Sequence, residues 1–248
     1  MVQRSLRRGG YELRRVPVSL PPDATEPPQL RAMVEYWEGV RAIEDRHAAQ
    51  TVEDVERLKK QYDGPVFGKV RVWKLVKQLA QCIDPSDGRL FGASQQLHVL
   101  QVLEAMARDH VDDPDLVLAA LIHDTGKVLL LAGEDPANVT CMNTPIGNYA
   151  PGVGLDNVTF QWGHDEFGYS RFVDLVPEHV AWLIRYHSID IPTVEPLMDA
   201  RDRDFYERYL RVFAYYDHET KTPFRLPFTR IDDYRDIVET AFPKPIRF

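Results

Sequence analysis

Residues 114–132 read Pro-Asp-Leu-Val-Leu-Ala-Ala-Leu-Ile-His-Asp-Thr-Gly-Lys-Val-Leu-Leu-Leu-Ala, and this stretch decides the fold. Pro114 and Asp115 suit a helix start, and the apolar run behind them suits a helix buried on every side to about Ala132. In its middle stand His123 and Asp124. A carboxylate in such a setting costs several kcal/mol or more unless something neutralises it. Working outward, helical spacing recurs almost everywhere. Val72, Leu75, Val76 and Leu79 fall at i, i+3, i+4 and i+7, and Val99, Val102, Leu103 and Met106 repeat the pattern within 94–109. Thr51 with Asp54 predicts a capping box. Further helices fit 31–49, 163–175, 178–188, 203–220 and 231–241. Period-2 alternation is nearly absent, so the expected class is all-α. The stretch 133–157, rich in Gly and Pro, is the one long loop, and long loops in compact domains are usually functional.

The chain has 248 residues, 44% of them hydrophobic, and a formal charge of −8 from 30 basic and 38 acidic side chains. That balance argues against nucleic acid as a partner. Cys82 and Cys141 are the only cysteines, too few for a disulfide framework, which favours a reducing compartment. The longest apolar run, Leu116 to Ile122, is far short of the roughly 20 residues a membrane helix needs. Residues 1–15 carry five arginines without an apolar stretch, which excludes a secretory signal and leaves a basic arm or a mitochondrial presequence. Five prolines follow in 16–30. The expected organisation is an irregular Pro-rich arm over 1–30 and a single helical domain over 31–248, cytoplasmic and monomeric.

Of eight histidines, His47, His110, His179 and His218 read as surface or satisfied core residues. The other four are set differently. His98 lies among Leu97, Val99 and Leu100. His123 adjoins Asp124, and His164 with Asp165 follows Trp162-Gly163. His187 closes Trp182-Leu-Ile-Arg-Tyr, and Asp217 closes the aromatic run Phe213-Ala-Tyr-Tyr. Imidazoles and carboxylates without a thiolate point to iron, zinc or manganese. On spacing alone a buried ion-pair network stays equally open. Lys127, one helical turn beyond His123, tips the balance toward a site that grips an oxygen-rich or anionic ligand, and Lys221 repeats that spacing after Asp217.

The order His98, His123-Asp124, His164, His187, Asp217 resembles the HD-domain superfamily in its two-metal form. More narrowly, the chain is similar to the myo-inositol oxygenase family. The segments that carry the likeness are Leu-Ile-His-Asp-Thr-Gly-Lys-Val at 121–128, Gly-Leu-Asp at 154–156, Trp-Gly-His-Asp-Glu at 162–166, Ile-Arg-Tyr-His-Ser at 184–188 and Asp217 to Lys221. Weaker similarity, in Gln50-Thr51-Val52 and in Asp84 with Asp87, extends it over about residues 35–248. The resemblance implies an HD-type helical bundle with a diiron site, Fe(II)/Fe(III), in its core. It assigns one iron to His98, His123, Asp124 and Asp217, and the other to Asp124, His164 and His187, with Asp124 bridging. Asp124 and Lys127 are the implied catalytic residues. Lys127, Ser188 and Lys221 match positions that contact substrate hydroxyls, and Asp84 or Asp87 an acidic substrate-side position. The implied reaction joins a polyol and dioxygen in a four-electron oxidative C–C cleavage, which for myo-inositol yields D-glucuronate.

The chain also departs from the family pattern. A Gly-Asp pair that bonds the cyclitol is replaced by Cys141 and Met142, and a tryptophan by Ala137. A long insertion is missing between Gly147 and Tyr149, and the N-terminal arginine-aromatic element has only Arg14 or Arg15 as counterpart. Three rivals follow: a diiron oxygenase of a hydroxyphosphonate, an HD metal-dependent phosphohydrolase, and a metal-free helical interaction protein. The last would leave Asp124 and Asp217 uncompensated.

Overall fold

The computed structural model describes residues 7–8, 11–12, 28–140 and 143–248. Cys141 and Met142, Arg14 and Arg15, and nearly all of the expected 1–30 arm lie outside the described residues. The chain divides into one unit over 1–36 and another over 37–248. In the first, β1 (Arg7–Arg8) pairs antiparallel with β2 (Tyr11–Glu12). All that follows concerns the second.

The architecture is all-α, as the periodicity predicts. Helix α1 (Pro28–Ala48) leads into α2 (Val52–Gln61), whose Thr51–Asp54 capping box is formed. β3 (Lys69–Val70) precedes α3 (Val72–Gln78), α4 (Gln95–Arg108) and α5 (Pro114–Ile122). Asp113 caps α5 and Pro114 opens it. Then come α6 (His164–Phe172), α7 (Glu178–Tyr186), α8 (Ile191–Val194), α9 (Ala200–Phe205), α10 (Arg211–Glu219), α11 (Arg235–Ala241) and β4 (Ile246–Arg247), which pairs with β3. The main core gathers Leu75, Val76, Val99, Val102, Leu103, Leu121, Ile122, Phe167, Ile184 and Phe213, so α3 to α7 and α10 share one interior. Among the described residues no helix is long and apolar enough to cross a membrane.

Two expected helices differ from the spacing. The segment expected to run to Ala132 stays α-helical only to Ile122 and continues as a 3-10 helix over His123–Ala132. The 203–220 helix is three pieces, α9 and α10 joined by a π-turn over Tyr206–Leu210. The 3-10 segment also makes a close backbone contact. A Cβ on Gly126 would lie 1.9 Å from the carbonyl oxygen of His164, so this segment and the start of α6 touch backbone to backbone. Only glycine permits that approach. The loop over 133–157 is punctuated by short 3-10 turns at Pro136–Asn138 and Leu155–Asn157.

Candidate metal centre

Six side chains from five elements converge in the core. His98 comes from the first turns of α4, and His123 and Asp124 from the switch between α5 and its 3-10 continuation. His164 opens α6, His187 caps the end of α7, and Asp217 sits near the end of α10. All six are 0–3% exposed. Three overlapping triads have ligating atoms within 4.8 Å of one another: His98, His123 and Asp124; His123, His187 and Asp217; Asp124, His164 and His187. Cys82 is buried but belongs to none of these groups.

The two oxygens of Asp124 divide between two neighbourhoods. Oδ1 lies 3.1 Å from His164 Nε2 and 3.9 Å from His187 Nε2. Oδ2 lies 3.5 Å from His123 Nε2 and 3.8 Å from His98 Nε2. Asp217 Oδ1 stands 2.7 Å from His98 Nε2 and 3.6 Å from His123 Nε2.

Backbone carbonyls set the imidazole tautomers. Nδ1 of His123 donates to Ala120 O at 3.0 Å, that of His164 to Val139 O at 2.7 Å, and that of His187 to Ile184 O at 2.8 Å. A carbonyl only accepts, so the proton of each neutral ring sits on Nδ1 and Nε2 keeps its lone pair. His164 Nε2 and His187 Nε2 nevertheless face each other at 3.2 Å. Two lone pairs at that distance repel unless a cation lies between them. Burial, with positive charge on His123 and His164, holds the His187 pKa well below its ordinary value. Two nitrogens bound to one ion at about 2.1 Å each, at right angles, stand about 3 Å apart. His123 Nε2, buried and without a hydrogen bond, makes the same demand. The donor set fits a metal.

Electrostatics agree. Burial raises the pKa of Asp124, but Lys127 and His123 outweigh it and hold the group well below the usual carboxylate range. Asp217 is likewise held low, burial being overcome by Lys221 and by the His123 and His98 contacts. Burial alone would pull His98 down, and its pKa falls to about 4. Both carboxylates are held ionised and His98 and His187 neutral, as ligands must be, whereas Asp124 and Asp217 outweigh burial at His123 and raise its pKa.

Beside this centre lies a second buried group. Lys127 Nζ is 3.2 Å from Asp124 Oδ1, 3.0 Å from Gln95 Oε1, 3.5 Å from Asp84 Oδ2 and 3.9 Å from Asp87 Oδ2. Lys221 Nζ is 3.2 Å from Asp87 Oδ2 and 3.8 Å from Asp217 Oδ1. The helical spacing places Lys127 over His123. Because the segment is 3-10, where i and i+3 eclipse, it stands on Asp124 instead. The structure thus brings Lys127, Lys221, Asp84 and Asp87 together. Ser188 is not in that group; its hydroxyl donates to Asp165 Oδ2 at 2.7 Å.

Sequence reasoning missed Gln95, Gln101, Asp165 and Asn143. The signal for the first two was a polar stripe along buried α4. Gln95, His98 and Gln101 are spaced by three, and they serve Lys127, Asp217 and the backbone of Thr222 and Arg225. His47 is a buried core residue as expected, with ring nitrogens 2.9 Å from Ala137 O and from Asn143 Oδ1. His179 meets Asp115 at 2.8 Å. His218, read as ordinary, stands 3.4 Å from Asp217 Oδ2.

A family profile described as myo-inositol oxygenase matches residues 38–141 and 134–248. A probable inositol oxygenase of Oryza sativa subsp. japonica is 30% identical over 242 residues, 82% of this chain and 78% of that protein. Inositol oxygenase 2 of Arabidopsis thaliana is 29% identical over 243 residues, covering 82% and 76%. Inositol oxygenase of Bos taurus is 30% identical over 177 residues, 57% of this chain and 61% of that protein.

Proposed function

This chain belongs to the myo-inositol oxygenase family, and from that premise we propose that it is a diiron oxygenase that cleaves a neutral polyol, myo-inositol first among them, to D-glucuronate. The balance is one cyclitol and one dioxygen in, one uronic acid and one water out. The proposed ligands are His98, His123, Asp124 and Asp217 for one iron and Asp124, His164 and His187 for the other. The division of the Asp124 oxygens between the two neighbourhoods supports a bridging role. When bound, a redox-active iron pair supplies the reduction of dioxygen, which zinc, without a redox couple, cannot.

One observation carries the polyol reading. The buried group beside the centre has polar atoms of both kinds without hydrogen bonds: the acceptors Asp84 Oδ2 and Asp87 Oδ2, which face the lysines as ion pairs, and the donor Gln95 Nε2. Each hydroxyl both gives and accepts, so a hydroxyl-rich molecule suits such a mixed lining. Charge supports the same reading. Lys127 and Lys221 already face Asp84 and Asp87, two cations against two carboxylates, so an anionic head group would meet a cluster already in balance. In this scheme Asp84 and Asp87 orient ring hydroxyls, and the Lys127 ammonium stabilises negative charge developing on the reacting oxygen. Its own contact with Asp124 holds it in place.

The test is metal analysis with electron paramagnetic resonance on partly reduced protein, run beside oxygen-uptake assays. Two irons per chain, a coupled mixed-valent signal that shifts on adding myo-inositol, and oxygen uptake are expected. Hydrolysis of phosphate esters without oxygen uptake would assign the chain to the HD phosphohydrolases instead.

A further inference from the structure

Two clefts flank the β3–β4 ribbon, and neither is lined by a residue of the metal centre or of the lysine–carboxylate cluster beside it. The larger, about 590 Å³, lies between the end of α6 and the turn from α11 into β4. Its charged lining is Arg171, Lys244 and Arg247 with one acid, Asp174. The smaller, about 310 Å³, is lined by Lys69, Arg71 and Lys74 and by no acid. Pro245 lines both, so the clefts adjoin. Six cations thus meet one carboxylate, in a chain whose formal charge is −8. Among the described residues none of the six forms an ion pair.

These cations are also set against one another. The ribbon places Lys69 directly opposite Arg247, and like charges opposed across two strands repel. Burial lowers the Arg171 pKa, and Arg247 adds to that while Asp63 opposes it. Arg171 cannot turn away. Its guanidinium donates to the carbonyls of Tyr62 and Gly64 and lies 4.7 Å over the Phe167 ring, while its Nε is buried without a hydrogen bond. The fold therefore spends stability on a cationic surface that it does not itself neutralise. We propose that this face binds a small molecule carrying two phosphate groups, one to each cleft. Arginine forks and ammonium groups both take phosphate oxygens. Each phosphate carries about −1.5 to −2 at pH 7, so two of them offset five surplus charges more closely than two carboxylates would. The clefts are recessed and of small-molecule size, which favours a soluble ligand over a membrane surface. The inference stands apart from the polyol reading and survives its failure.

The test is calorimetric binding to iron-loaded protein at low ionic strength, with fructose 1,6-bisphosphate, inorganic phosphate and succinate as probes. The bisphosphate is expected to bind the parent at least about tenfold more tightly than either other probe. Lys69→Gln combined with Arg247→Gln, both exposed positions, is expected to lower that affinity by about tenfold or more. The substitutions relieve a repulsion, so without ligand the double variant should melt no lower than the parent, and lost affinity is then not lost folding. Arg208→Gln with Arg211→Gln, two exposed arginines outside both clefts, should leave binding unchanged. Equal affinity for the three probes would overturn the proposal, as would bisphosphate binding that survives the cleft variant or falls equally in the control pair. A parent that binds no phosphate probe, whether or not it associates with phosphatidylserine vesicles, would overturn it too.

Discussion

Gly126→Ala tests how closely the backbone of this protein specifies its metal centre. The added Cβ would meet the His164 carbonyl oxygen at 1.9 Å, its carbon at 2.8 Å and its Cα at 3.1 Å, all backbone atoms that no rotamer change can move aside. Ordinary contact begins near 3.4 Å, so the 3-10 segment and the start of α6 must part by about 1.5 Å. That displacement acts along the contact between His164 and Asp124, which spans only 3.1 Å, and pulls His164 away from His187. Overpacking of this kind costs about 1–3 kcal/mol in a well-packed interior. The functional loss should be uneven. The His164 and His187 side loses its geometry, while His98 and Asp217, carried by α4 and α10, keep theirs. Plasma emission spectrometry on reconstituted protein should therefore find iron falling from two per chain toward one. Thermal melts of the metal-free protein should show destabilisation in the stated range. Two irons bound as tightly as in the parent, with an unshifted melt, would refute the claim that this backbone contact sets the site.

Other perturbations follow from the same geometry. Asp124→Ala removes the carboxylate shared by both neighbourhoods and leaves Lys127 short of a counter-charge, so loss of both irons is expected in a metal assay, with a lowered melting temperature. Lys127→Met leaves Asp84, Asp87 and Asp124 poorly compensated in the interior, and chemical denaturation should register a loss of about 3–5 kcal/mol. His98 is neutral in the folded metal-free protein, its pKa near 4 against an ordinary 6.5. The unfolded chain therefore takes up a proton that the native state refuses, and stability present above pH 6.5 is lost as pH falls toward 4, by at most about 3 kcal/mol. Denaturation of metal-free protein across that window should show the loss, and His98→Gln should flatten it. Glu166 behaves with the same sign at lower pH: burial raises its pKa, but Arg185 and Lys59 hold it below the ordinary 4.5. Glu166→Gln should remove part of the acid destabilisation seen in melts below that value.

The features legible in the sequence were those in which local spacing and burial demand the same thing. An aspartate inside residues 116–131 requires a partner whatever the tertiary fold, while the full set of His98, His164, His187 and Asp217 is what the family resemblance implies, spacing alone leaving a buried ion-pair network equally open. The register of Lys127 could not. Its pairing with Asp124 depends on a 3-10 segment that periodicity does not encode, and Gly126 in that segment lies against the carbonyl of His164, 38 residues away. Asp165 was hidden for a related reason. Its partners Asn143 and Ser188 lie 22 and 23 residues away on a loop and at a helix end, where no repeating pattern marks them. The two differ otherwise: spacing sets Lys127 over His123 rather than Asp124, while Asp165 stands beside His164 in the sequence with its partners far off. Local chemistry makes a metal-binding core conspicuous because unpaired buried charge is forbidden. The groups proposed to meet substrate are ion-paired with one another, so nothing in the sequence around them looks out of place.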